Sequence, residues 1–222
     1  IAKKREVFVS ESIMIGSAND GKAILLEVSP NHFGVYDVPN NSELICANHF
    51  QSETYKNDKK NNKHIIESHS KYRFDRMEEL LEKNQTITPK EAVKILRDKN
   101  GLKGKSIGFG NEKGLNQLLA HHGIVFKPKD KLVWISANPY QLGEFVCYDL
   151  NKVFGSKIEK NSSTSEMKTM AETHLNIEKD AFLETKAYAD YEKYRIQNRE
   201  FDHYIESKTA ISEEKILEFK SL

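Results

Sequence analysis

A chain of 222 residues with 38% hydrophobic content can bury one good core and leave an appendage over. Its 34 Lys and Arg against 33 Asp and Glu give a formal charge of +1, so no global field draws it to nucleic acid or to an anionic membrane surface. No run of about 18 apolar residues is present to span a bilayer, and a mean hydropathy of −0.66 is polar for an enzyme, with the excess in the last third.

The first residue is Ile1, with no charged-then-apolar leader ahead of a small-residue site, as expected of a cleavage product or a fragment. Antiparallel sheet is expected first. Ile13 and Ile15 alternate with polar neighbours, Asn19-Asp20-Gly21 turns the chain, and Ile24, Leu26 and Val28 alternate again as the apolar face. A turn at Ser29-Pro30-Asn31-His32 leads to "FGVYDV", and Pro39-Asn40-Asn41 separates that strand from a fourth, "ELICA", at Glu43–Ala47.

Thr54 to His64 offers little to a core and reads as an exposed loop. Helices follow at "SKYRFDRMEELLEKN", with Ser70 as cap and Tyr72, Met77, Leu80 and Leu81 at helical spacing, and at "TITPKEAVKILRD". In the second, Thr88 caps, Pro89 takes the first helical position and Glu91 stands where a capping box needs it. These two helices are expected against one side of the sheet. Glycine-rich "GLKGKSIGFGNEKGLN" does not sit between a strand and a helix of a βαβ unit and is read as a loop. Strands return at Gly123–Phe126, Leu132–Ser136 and Glu144–Tyr148, which gives an α+β core with sequential strands paired antiparallel. After Phe154 comes a polar linker, "GSKIEKNSSTSE". A charged amphipathic helix then carries Leu183, Ala187, Tyr191, Tyr194, Phe201 and Ile205 on one stripe, and a last helix begins at Ser212. The stripe suits packing on the domain surface or a partner helix, which leaves a homo-oligomer open.

Several side chains could do chemistry. Asn48 ends the apolar run in "ELICANHFQ": it either caps its own turn or donates its amide N–H to an oxyanion in a cleft. Arg73 either pairs with carboxylates one turn away or lies beside an anionic group, with Arg76 as the alternative one turn on. His121 and His122 are adjacent rather than four apart, so no metal is expected, and no cofactor. Cys46 and Cys147 make neither a disulfide framework nor a paired metal motif, and each is expected to be a buried small hydrophobe.

The order and spacing of "ELICANHF", "SKYRFDRMEELL" and "LVWISANPYQLGEFVCYDL" resemble the C-terminal half of the acyl-coenzyme A:6-aminopenicillanate acyltransferase family over residues 6–154. These are cysteine N-terminal nucleophile hydrolases, related to choloylglycine hydrolases and acid ceramidase. The resemblance implies an αββα sandwich of antiparallel sheets in a precursor that cuts itself to expose an N-terminal cysteine. That thiol attacks an amide or thioester carbonyl, with its own α-amino group as base. Asn48 matches the oxyanion-hole asparagine and Arg73 the arginine beside the nucleophile, with His49 and Phe50 at the substrate. Residues 1–154 would be the C-terminal portion of the hydrolase domain, and 155–222 a linker and helical extension. The expected partners are a small-molecule N-acyl amine substrate and the upstream portion of the same precursor, which carries the nucleophile. This chain alone is then expected to be inactive. The competing expectation is a non-enzymatic binding or assembly module that keeps the sandwich and works through its tail.

Overall fold

The computed structural model describes residues 7–17, 19–38, 43–83, 86–155, 170–207 and 211–220. The chain divides into two compact units, one ending at Ile177 and the other starting at Glu178, whereas the change in composition falls after Phe154. The expected turn at Pro39-Asn40-Asn41, and all of the linker after Gly155, lie outside the described residues.

The first unit opens with β1 (Glu11–Ser17), β2 (Lys22–Val28) and β3 (Phe33–Tyr36), an antiparallel sheet in the order β1-β2-β3. Ile13 lies opposite Leu26 and Ile15 opposite Ile24, as the alternation implies. In the first turn Ser17 Oγ donates to Asp20 at 2.5 Å, and in the second the Ser29 N–H donates to the His32 carbonyl at 2.9 Å. β2 is buried on both faces: of the residues expected to face the core Val28 is buried and Ile24 and Leu26 partly so, while Leu25 and Glu27 on the opposite face are fully buried. A carboxylate there needs donors, and the chain after Ala47 provides them.

Glu43–Ala47 is not a fourth strand. Its carbonyl at Ile45 takes the side-chain amide of Gln51 at 2.8 Å, a side-chain bond where a strand would have a backbone ladder. Nor is Thr54–His64 an exposed loop. Glu53–Tyr55 forms a helical turn and α1 runs Lys59–Glu67, with Asp58 accepting from the Asn61 N–H at 2.8 Å as N-cap. Tyr55 is 1% exposed, stacks on Phe50 with ring centres 4.1 Å apart, and donates its hydroxyl to the His32 carbonyl at 2.8 Å. Gly34 in β3 makes room for this packing, because a Cβ there would stand 2.1 Å from Ser52 Oγ.

α2 (Ser70–Glu82) and α3 (Pro89–Leu96) lie where expected, and Thr88 and Glu91 form the capping box. Ser70 does not cap α2: it is the first helical residue, and its hydroxyl is spent elsewhere. The strands β4 (Ile124–Lys127), β5 (Leu132–Ser136) and β6 (Phe145–Asp149) form a second antiparallel sheet, β4-β5-β6, followed by the short α4 (Leu150–Gly155). Val93 of α3 packs with Val125, Trp134, Phe145 and Cys147 into the core, each such side chain contributing about 1.5–3 kcal/mol by leaving water. Residues 171–177 return to pair along β6: Phe145 exchanges backbone bonds with Ile177 at 2.9 and 3.0 Å, and Trp134 Nε1 donates to the Leu175 carbonyl at 2.8 Å. That pairing covers what would be an open sheet edge.

The second unit is a helical hairpin of α5 (Lys186–Ser207) and α6 (Glu213–Lys220). The expected helix does begin near Asp180, but as a short tight turn at Ala181–Glu184 before α5. Phe201 meets Phe219 edge-on at 5.0 Å, yet the buried residue of α5 is Gln197, whose amide donates to Glu218 at 3.0 Å. The stripe is therefore only part of what joins the two helices.

Beneath the first unit's helices lies a charged hub. Arg76 is 4% exposed and donates from Nε and Nη2 to the two oxygens of Asp98 at 2.8 and 3.1 Å, and from Nη1 to Glu79 at 2.9 Å. Glu79 also accepts the Lys103 N–H, at 2.9 and 3.0 Å to its two oxygens, and the Asp98 carbonyl accepts the Asn116 N–H at 2.8 Å. One guanidinium thus ties α2 to the end of α3 and to the loop beyond it. Arg76→Ala strands the carboxylates and is expected to lower stability by about 3–5 kcal/mol in denaturant unfolding. The bonds from Lys103 and Arg76 pull the Glu79 carboxyl from 4.5 down to about 2. Its stabilising effect is complete above about pH 4.5 and is lost as pH falls toward 2. In Glu79→Gln the fall in stability across that window should become shallower, and an equally steep fall would assign the acid sensitivity to other groups.

Candidate active site

The segment after sheet β1-β2-β3 is held by side chains from three directions. Buried Glu27 accepts the N–H groups of Gln51 and Ser52 at 2.6 and 2.9 Å. From α1, Asn61 accepts the Phe50 N–H at 2.9 Å and donates to the Phe50 carbonyl at 3.0 Å. From α2, Ser70 Oγ lies 2.8 Å from His49 Nδ1, and the His49 ring leans on Phe74 at 5.7 Å. None of these three anchors, Glu27, Asn61 or Ser70, was singled out for the site in the sequence. Glu27 left one trace there, an acid within the apolar alternation "AILLEV".

Asn48 and Arg73 are brought together. Arg73 Nη2 donates to Asn48 Oδ1 at 2.7 Å, and its Nη1 donates to the Glu112 carbonyl at 2.6 Å. A guanidinium only donates, so the carboxamide atom facing it is the oxygen. Nδ2 is thereby turned the other way, and among the described residues it has no hydrogen-bond partner. Burial lowers the Arg73 pKa and the Glu112 carboxylate opposes that shift. The group stays a cation. Arg76, the alternative one turn on, is committed to the hub.

Asn48 stands on the wall of an open cleft of about 990 Å³, with Ser12, His32, Phe50, Asn61 and His64 among its neighbours. Phe50 lines the cleft. His49 does not: it is buried beneath α2, because its ring nitrogen has a hydroxyl to meet there and its carbons have Phe74. Its pKa is lowered, first by burial and then by Lys71 and His64. His121 and His122 are exposed, and among the described residues no group of three or more His, Cys, Asp or Glu is placed to hold a metal.

The two cysteines differ. Cys147 is buried, as expected, and burial pushes its thiol up to about 11. Cys46 is exposed rather than buried and lines the cleft. Desolvation of its sulfur, followed by the Glu27 carboxylate, raises its pKa as well. A thiol so shifted is protonated at neutral pH and a poor nucleophile. The cleft is therefore lined by Asn48, whose carboxamide oxygen is engaged by Arg73, and by a thiol, Cys46, that is not activated.

Residues 5–138 match the family described as acyl-coenzyme A:6-aminopenicillanic acid acyl-transferase. No curated protein and no solved structure matches the chain.

The burial of His49 has a consequence for stability. Its folded pKa lies below the ordinary 6.5, so the unfolded chain binds a proton that the folded chain refuses. Stability is then full above about pH 6.5 and falls as pH drops below it. Denaturant unfolding of His49→Gln on both sides of that pH should show the fall reduced, and an unaltered fall would trace it to another group.

Proposed function

The chain belongs to the acyl-coenzyme A:6-aminopenicillanic acid acyl-transferase family, and from that premise we propose that it forms the oxyanion-stabilising part of an amide hydrolase or acyltransferase that acts on N-acyl amines. The observation that supports the reading is the Arg73 to Asn48 hydrogen bond on the wall of the cleft: it occupies the carboxamide oxygen, and in this reading the N–H groups left over donate to the substrate. Two antiparallel sheets with helices agree with an α+β fold, and in the complete protein we take them to be layers of an αββα sandwich.

In this reading the nucleophile is a cysteine at the start of a mature chain, released by self-cleavage of a precursor and carried by an upstream portion. Support comes from thiol chemistry: both cysteines of this chain have raised pKa values, and one is buried within a sheet. The thiol passes its proton to its own α-amino group as sulfur attacks the carbonyl carbon. Negative charge collects on the carbonyl oxygen, where Asn48 Nδ2 donates to it. Collapse breaks the C–N bond, the departing amine takes up the proton, and the thioester left behind passes its acyl group to water or to another amine. Arg73 keeps the donor turned toward that oxygen, and its charge favours a thiolate nearby. Phe50 contacts the substrate from the wall, and His49 supports it from beneath. By itself the chain supplies the donor without the thiol and is inactive.

Asn48→Ala in the complete protein should keep the fold and lower turnover about a hundredfold or more. Turnover equal to wild type would take Asn48 out of the mechanism. The two arginines of α2 separate cleanly: Arg73→Ala should lower turnover with little change in melting temperature, whereas Arg76→Ala should lower the melting temperature. A reversed pattern would show that the site is built on Arg76.

A further inference from the structure

We propose that Asn61 is a positioning residue for the oxyanion donor, acting through the backbone of Phe50; the proposal rests on the reading of Asn48 as that donor. Residues 48–52 are not in a strand, and the backbone N–H groups of Phe50, Gln51 and Ser52 are met by side chains. Asn61 makes two bonds in opposite senses, accepting the Phe50 N–H at 2.9 Å and donating to the Phe50 carbonyl at 3.0 Å. One carboxamide thus takes the place of a strand partner for the residue two beyond Asn48.

The clamp is itself held. Asp58 accepts the Asn61 N–H at 2.8 Å, so the first turn of α1 sets where the carboxamide stands. On the far side Glu27, fully buried, fixes the next two N–H groups. Asn61 also lines the cleft, but both its polar atoms are engaged with Phe50, so it acts by placing the main chain rather than by touching the reacting atoms. An oxyanion donor must be held to within about 0.5 Å of its working position, and a displacement of about 1 Å can cost a hundredfold in rate. Chemistry also restricts the residue type: ionised aspartate cannot donate to the Phe50 carbonyl, and alanine can do neither.

The test is a double-mutant cycle between Asn61→Ala and Asn48→Ala in the complete protein, with turnover of a panel of N-acyl p-nitroanilides as readout and hydrogen exchange of the Phe50 amide as the local probe. Asn61→Ala should lower kcat about tenfold or more with KM little changed, speed exchange at Phe50, and add nothing in the Asn48→Ala background. Asn61→Asp, which keeps the acceptor for the Phe50 N–H but cannot donate to the Phe50 carbonyl, carries the test if the alanine variant does not fold, with kcat expected to fall and the loss to vanish in the Asn48→Ala background. Asn62→Ala, next to Asn61 on α1, removes a bond to the Lys56 carbonyl ahead of the helix and should leave kcat unchanged. If Asn48→Ala costs turnover while Asn61→Ala does not, or if the two losses multiply in full, the positioning role is overturned and the donor reading stands. If Asn48→Ala costs nothing, the donor reading fails and this proposal with it.

Discussion

A guanidinium taken almost wholly out of water sets the constraint on which the site depends. Arg76 is tolerable in its place because Asp98 and Glu79 accept from each of its three nitrogens, Glu79 from α2 itself and Asp98 from the end of α3. Those carboxylates carry the order outward. Glu79 holds the Lys103 backbone and the Asp98 carbonyl holds Asn116, so the loop between α3 and β4 is pinned at both ends. Glu112 lies in that loop, and its carbonyl is one of the two acceptors of Arg73. A buried ion pair thus reaches Asn48 through one loop and one surface arginine.

The peptide that presents Asn48 follows a different logic. Among the described residues it joins no strand, and a backbone in that position has donors and acceptors to satisfy. Glu27, Asn61 and Gln51 satisfy them with side chains. Side-chain partners fix a chain in an irregular path that a ladder would straighten, which is how loop residues come to be held as firmly as a binding site requires. The arrangement uses charge and amide groups where a strand would use only backbone, so part of the polar character of "ANHFQSETY" and of α1 is structural.

Elements whose signals are local were legible in the sequence. The capping box at Thr88 and Glu91 and the short strands β4, β5 and β6 each depend on residues a few positions apart, and each stands within one residue of its expected place. The errors have one cause as well. Glu43–Ala47 has strand composition but does not adopt strand structure, and its Ile45 carbonyl is taken by the Gln51 side chain; Lys59–Glu67 has loop composition but a cap at Asp58 and a carboxamide fastened to Phe50. In both, partners outside the segment overrode local preference. The same holds for Ser70, whose hydroxyl is drawn to His49, and for His49, whose ring leaves the cleft for that contact.

The amino-acid sequence by itself determined the α+β class, the positions of the second sheet and of α3, and the family, because periodicity, capping and motif order are properties of neighbouring residues. It also put Asn48 and Arg73 forward as a pair of interest. Only the tertiary structure separated the surroundings of two arginines one turn apart on α2: Arg76 faces inward to carboxylates, and Arg73 faces an amide oxygen 25 residues back along the chain. Only it showed Glu27, Asn61 and Ser70 to be anchors. Hydrogen-bond partners so far apart in sequence leave no spacing to read, and burial of a charge is a property of what packs around it.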